Sequence, residues 1–304
     1  GGLLTGAGNT AIGYQSLKFA DGAEARNVAL GAHSARFCDG TDDCIAIGYG
    51  ALSGADWGYA DGDTANATKP SGNENIAIGS YALDNVTAGN ANVAIGHYAG
   101  SGNQTAAENV LMGYYAGSAL TQNYNTAIGS RAMYYGTTQT ECVAIGRSAL
   151  RGDGTTAPTG DYNVAIGSYS LDAILGSTEN VAVGYGTLSN LSGQSYNTVV
   201  GSEAGSSTVG TRNTFVGRQA GYNAGDVDHC VAIGHQALLG PGSFTESATY
   251  NNDPTITHTA DARIAAGLYV TGAGIPADST VASITSPTVF ELSANATASN
   301  TNTT

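Results

Sequence analysis

Asn92-Val93-Ala94-Ile95-Gly96 is the stretch whose reading decides the fold. The same pattern, slightly varied, returns thirteen times, at Gly13, Gly31, Gly48, Gly79, Gly96, Gly113, Gly129, Gly146, Gly167, Gly184, Gly201, Gly217 and Gly234. Most steps are 16 to 18 residues; the steps from Gly48 to Gly79 and from Gly146 to Gly167 are 31 and 21. A fixed period of this length is the signature of a stacked, quasi-one-dimensional architecture, because one such unit cannot bury its own apolar face.

Taking each glycine as position 0, position −4 is Asn9, Asn27, Asn75, Asn92, Asn109, Asn125, Asn163, Asn180, Asn197 and Asn213, with Cys44, Cys142 and Cys230 in the other three repeats. Position −3 is Val, Ile or Thr. Position −2 is Ala except at Leu111, Val199 and Phe215. Position −1 is always branched or long and apolar, and +3 is always Ala, Ser or Thr. Alternation with period 2 puts −3 and −1 on one face of a short strand and −2 and 0 on the other. The expectation is a parallel β-roll, or β-solenoid, of about 13 coils and about 60 Å long at about 4.8 Å per strand. Ranked by hydrophobicity, the Val/Ile face is the interior, and the thin Ala/Gly face admits a close neighbour, with Leu111 and Phe215 as bulges in it. A second short strand is expected from +2, as in Tyr98-Ala99. Asn at −4 suits a turn and, stacked, a hydrogen-bonded ladder, with gaps at the three cysteines.

Composition agrees with an all-β chain. Glycine is 44 of 304 residues and charged residues are 11%, against about 25% in ordinary globular domains. The net charge of −14 argues against nucleic acid as a partner, which needs clustered Lys and Arg, and against an anionic membrane surface. No apolar run approaches the roughly 18 residues of a membrane span, so no membrane insertion is expected. The chain reads as a segment of a longer polypeptide. Cys38 and Cys44, five residues apart across an Asp/Gly/Thr loop, are the one pair close enough in sequence to bridge.

The repeats occupy 1–240. The long steps read as insertions rather than missing coils: 54–72, carrying Trp57, Tyr59 and several Asp, and 152–161. Insertions in a solenoid map to loops on its flank. After Gly240-Pro241-Gly242 the texture changes, and 241–304 reads as a small β domain or cap, with strands at 264–270, 280–284 and 289–292.

Asn9 to Leu17, Asn92 to Ala99 and Val231 to Leu238 resemble the head repeats of trimeric autotransporter adhesins of the YadA type, and resemble still more the related repeats of bacteriophage tail fibres. The resemblance spans about residues 9 to 240. It implies a left-handed parallel β-roll and a homotrimer of chains side by side. The step of about 17 residues is longer than the adhesin repeat and no heptad stalk is present, which favours the fibre branch.

The candidate binding residues are aromatic. Tyr81, Tyr98 and Tyr115 share position +2 on three successive repeats and are expected to stack, as a strip suited to sugar rings or else a structural ladder closing the roll or a seam between chains; Trp57 and Tyr59, in the 54–72 insertion, are separate candidates for glycan contact. Asp39, Asp42 and Asp43, and Asp56, Asp61 and Asp63, are oxygen-rich loops without calcium-loop spacing. The five His are scattered over distant repeats, so no metal site, no cofactor and no catalytic residue is assigned.

The function these observations point to is a structural segment of a phage tail fibre or similar extracellular appendage. It spaces and presents binding to a host cell-surface glycan or receptor, alongside other fibre or virion proteins. A bacterial cell-surface adhesin head is the alternative, and a tailspike-type glycan-degrading enzyme is a third class.

Overall fold

The computed structural model describes residues 7–18, 24–38, 40–54, 70–152, 154, 159–206 and 210–238 of a first compact unit, and 248–251, 253–258, 264, 266, 270, 274–276, 279–297 and 299–300 of a second. The units divide between Gly240 and Pro241. No helix occurs among the described residues, and none is long and apolar enough to cross a membrane.

The first unit is a parallel β-solenoid. Each repeat contributes one three-residue strand, −3 to −1, from Thr10–Ile12 to Val231–Ile233. The thirteen strands form one sheet in strict repeat order. Register is by repeat position: Val93 lies beside Val110, Ala94 beside Leu111 and Ile95 beside Met112, and the pairing runs unshifted across the 31-residue step, Ile45 beside Ile76. After position 0 the chain turns rather than extending, so the strand expected from +2 is absent. A second, two-stranded parallel sheet appears further round, Ala173–Leu175 beside Asn190–Ser192.

The interior is the reverse of the one that hydrophobicity ranking selects. From Ala29 to Ala232 the −2 residues are buried, and most have no exposed surface, whereas −3 and −1 are partly exposed or exposed; Ala11, in the first strand, is exposed. What fills the roll opposite the small −2 residue is position +4: Leu17, Leu52, Leu83, Met133, Leu150, Leu171 and Leu188 are buried there. The two positions compete for one space, which neighbouring coils also enter: at Gly100, opposite Ala94, a Cβ would lie 2.8 Å from Leu83 and Leu111 of the adjacent coils. Where −2 is large, +4 is Gly: Leu111 with Gly117, Val199 with Gly205, Phe215 with Gly221. A Cβ on Gly117 would lie 2.6 Å from Leu111 Cδ2. Leu111 and Phe215 are therefore core residues that cross from the other wall, and not bulges toward a neighbour.

Each coil closes through four left-handed residues, at −5, 0, +2 and +4, in all thirteen repeats. At −5, +2 and +4 the non-glycine residues have φ between 47° and 64°, the one left-handed well open to L-residues, and Tyr, Glu and Leu occupy it at a cost. Hydrogen bonds to neighbouring coils hold them there: Tyr98 N–H donates to Ser80 at 3.0 Å, and Leu83 N–H donates to Ala99 at 3.0 Å. At position 0, φ is 127–140°, which only glycine adopts readily. Up to Gly217, a Cβ there would also come within 2.7 Å of the next glycine's carbonyl oxygen. That double demand explains why position 0 never varies.

One side-chain ladder runs the length of the roll, and a second runs beside it in interrupted steps. At −4, each Asn Oδ1 accepts the backbone N–H of the −4 residue in the following coil, for example Asn92 from Asn109 at 3.1 Å and Asn180 from Asn197 at 3.0 Å. The amide then donates to the carbonyl at −7 of that coil, as Asn92 Nδ2 to Ala106 at 2.8 Å, except that Asn109 Nδ2 donates to Asn92 Oδ1 and to the Ala107 carbonyl. All ten are in place, Asn27 to Asn213 buried and Asn9 partly buried in the first coil. The expected gaps at cysteine are not found: Cys44 Sγ accepts from Asn75 N–H at 3.4 Å and Cys142 Sγ from Asn163 N–H at 3.3 Å. At −6 a second ladder has the opposite sense, with Asn73 N–H donating up to Asn90 Oδ1 and Thr140 N–H to Asp161 Oδ1, both at 2.8 Å.

The second unit contains an antiparallel sheet ordered Val281–Ser286, Val289–Leu292, Thr255–His258, Ala248–Asn251, Ser299–Asn300, packed on Ile256, Val281, Phe290 and Leu292. The strands expected at 280–284 and 289–292 are present; 264–270 lies mostly outside the described residues.

Candidate functional site: the outward face of the roll

Once −4 and −2 point inward, period 2 places −5, −3, −1 and +1 outward on one face. Its middle is a stripe two residues wide and thirteen coils long, apolar except where −3 is Thr, at Thr10, Thr126, Thr198 and Thr214. Interior coils of the stripe remain well exposed, with Ile145, Ile166, Val200 and Val216 each at 37%, and at the ends Ile12, Val231 and Ile233 reach 65–72%. This is not leftover core, because the roll has its own filled interior. A contiguous exposed apolar surface of this extent marks an interaction site.

The two rims of the face differ. The rim before the stripe, at −5, carries Asp43, Glu74, Glu108, Glu141 and Glu179, and from Glu108 to Tyr196 it alternates Glu and Tyr coil by coil. Tyr124, Tyr162 and Tyr196 are about half exposed. The rim after the stripe, at +1 and +2, carries Arg131, Arg147, Arg218, His33, His97 and His235, with Glu203 its one carboxylate.

The second rim also holds an aromatic chain through the first seven coils. Tyr14, His33, Tyr49 and Tyr81 meet edge-on at 5.4–5.5 Å. Tyr81, Tyr98 and Tyr115 then stack nearly parallel at 4.9 and 4.8 Å, and Tyr115 meets Tyr134 edge-on at 5.5 Å. The stacking expected of Tyr81, Tyr98 and Tyr115 is present, and its spacing is that of the coils. It also closes both faces of the Tyr98 ring, so only the ring edges and hydroxyls of this column are offered outward. Trp57 and Tyr59, and with them Asp56, Asp61 and Asp63, lie outside the described residues.

The titratable groups in the roll are structural. Asp43 is held well below the usual carboxylate range by its hydrogen bond and ion pair with Arg26, at 2.6 Å, and Asp42 Oδ1 accepts Ala25 N–H at 2.6 Å; Asp39 lies outside the described residues. Burial pushes Asp84 up to about 7. Burial also raises Asp172, with Arg151 3.0 Å away opposing the shift. Asp84 and Asp172 sit five coils apart, about 24 Å at the strand spacing, far beyond the roughly 5–9.5 Å of a glycosidase pair. Cys38 and Cys44 are both free thiols, because they serve different columns: Cys38 packs in the core, and Cys44 stands in the −4 ladder. Among the described residues no three His, Cys, Asp or Glu side chains gather as a metal cage.

The Asn ladder was legible in the spelling of the repeat; the outward stripe, the left-handed register at −5, +2 and +4 and the acidic rim at −5 were not among the expected features. The signal of that rim is the Glu/Tyr alternation at one register position. Comparison with family models, with curated proteins and with solved structures gave no match.

Proposed function

We propose that this chain is a structural segment of an extracellular fibre of the phage tail-fibre kind, and that it works as a parallel homotrimer that spaces and presents binding to a host-cell surface. The observation that carries the reading is the outward Val/Ile stripe. It runs the full length of a roll whose interior is already complete, so its burial falls to other chains. Three rolls turned inward on one axis cover it along its whole length. At roughly 25 cal/mol per Å² of apolar surface removed from water, the repetition over thirteen coils makes such an assembly strongly favourable. The step of 16–18 residues supports the fibre branch over the adhesin head.

The most regular positions serve the scaffold: −4, mostly Asn, −2, mostly Ala, and the invariant Gly at 0 are consumed in ladders, core and close contacts. Receptor contact therefore falls to what varies, namely the outer edge of the Tyr81, Tyr98 and Tyr115 column and the 54–72 insertion with Trp57 and Tyr59. Glycans suit such aromatic and hydroxyl-rich surfaces. Light scattering of the purified chain tests the assembly, with a mass of three chains expected and a stable monomer refuting it. A glycan array probed with the assembled chain tests the presentation.

A further inference from the structure

We propose that neighbouring copies of this chain lock in parallel through unlike rims, the acidic rim at −5 of one copy seating against the basic and aromatic rim at +1 and +2 of the next. This rests on the reading of the apolar stripe as the contact between copies, and adds what sets their direction.

The stripe alone does not choose a direction. Two apolar faces bury each other equally well with their rolls parallel or antiparallel. The rims break that tie. When copies are related by rotation about an axis along the roll, the −5 rim of each meets the +1 rim of the next. When two rolls lie face to face and antiparallel, −5 meets −5, and five carboxylates oppose five. Like charges across an interface disfavour a wrong arrangement, and unlike charges select the right one.

The charges on these rims are available for that purpose. Glu108, Glu141 and Glu179 are exposed, and among the described residues none has an ion pair within its own chain. Arg26 and Arg212, the two arginines on the acidic rim, are turned to partners on that same rim. Arg26 pairs with Asp43, and the Arg212 guanidinium lies 5.2 Å over the Tyr196 ring. On the opposite rim the lone carboxylate, Glu203, which accepts from Gln219 Nε2 at 2.7 Å, lies in the coil of Gly201, so Arg131 and Arg147 set the sign over the middle coils.

At zero axial shift one coil supplies an ion pair between copies. Glu141 and Arg147 are the −5 and +1 residues of the same repeat, on opposite edges of the same three-residue strand, Val143–Ile145. The Arg147 guanidinium lies 5.0 Å over the Tyr169 ring and donates to its hydroxyl, so it is held in place. With no axial shift between copies, Glu141 of each faces Arg147 of the next. A slip of one coil would set Glu141 against Ser168 and Tyr169 in one direction, and against Ser130 and Arg131 in the other.

The test is a charge swap in the full chain, with E141R, R147E and the double variant compared with wild type. Assembly is read by sedimentation across a dilution series and folding by far-UV circular dichroism. Both singles should keep the roll's spectrum and dissociate at about tenfold higher concentration than wild type, and the double variant should return to the wild-type value. The singles should also lose the salt dependence that wild-type assembly shows. If wild type assembles and the singles match it, or the double is no better than either single, the rim pairing is overturned while the stripe reading stands. A wild-type chain that stays monomeric overturns both.

Discussion

The Sγ of Cys44 accepts the backbone N–H of Asn75 at 3.4 Å and faces the carbonyl of Gly72 at 3.5 Å. In the asparagine coils an Oδ1 takes the same N–H at 2.8–3.1 Å. Gly72 stands at −7 of the next coil, where Asn Nδ2 donates elsewhere. One sulfur thus covers both roles across the 31-residue step, and Cys142 does the same across the 21-residue step with Asn163 and Gly160. The test is at Cys142. C142A leaves the Asn163 N–H buried without an acceptor and should cost about 1–3 kcal/mol in urea unfolding. C142N should fall within about 1 kcal/mol of wild type.

The shared volume of −2 and +4 predicts a compensating pair. F215A opens a cavity beside Gly221 and should cost about 3–5 kcal/mol. Adding G221L supplies the side chain that other coils carry there at the same left-handed φ, and should recover most of the loss. Recovery no better than additive in thermal melts would count against the swap.

Position 0 separates crowding from backbone conformation. At Gly113 a Cβ would lie 2.6 Å from the Gly129 carbonyl oxygen, whereas at Gly234 the nearest atom is 3.9 Å away, and φ is similar, 135° and 130°. G234A therefore carries only the conformational cost, about 1–3 kcal/mol. G113A must also force two coils apart. It should destabilise far more, or fail to fold, in matched denaturation curves.

Asp84 gives the roll a pH dependence. Its carboxyl is raised by burial from 3.8 to about 7, so the folded chain keeps a proton that the unfolded chain releases first. Stability from this group is fully present below about pH 4, declines as pH rises to about 7, and is flat above. D84N should remove that decline and stabilise the chain at pH 8 by about 3 kcal/mol. Urea midpoints at pH 4 and pH 8 for both proteins would show it, and parallel shifts would refute it. Asp172, also raised, leaves a smaller slope of the same sign in D84N.

Much of the roll was legible because its spelling repeats: the glycine period placed thirteen strands, and the Asn column announced a ladder. The interior was not. Alternation divides a strand into two faces without saying which is inside, and Val and Ile outrank Ala on any hydrophobicity scale. The deciding residue lies outside the strand, at +4, where Leu or Met crosses the roll to meet Ala. The signal was present in three repeats, where a large −2 residue comes with a glycine at +4. Phe215 with Gly221 makes sense only if both point into the same space. The aromatic column was legible for the same reason as the strands, since a shared register position forces Tyr81, Tyr98 and Tyr115 into stacking.

The two ladders have a mechanical consequence. Every bond that joins coils, at −4, at −6 and along the backbone of the sheet, lies parallel to the axis, and each coil is bonded only to its two neighbours. Tension applied to the ends of the chain therefore loads the coils in series, as in a zipper opened from one end. The segment should lengthen in discrete releases, each freeing one step of 16–18 residues, roughly 50–60 Å of extended chain. The two long steps would appear as larger jumps at fixed places in the sequence. Such a segment yields gradually under load and can re-form coil by coil on the coils still standing.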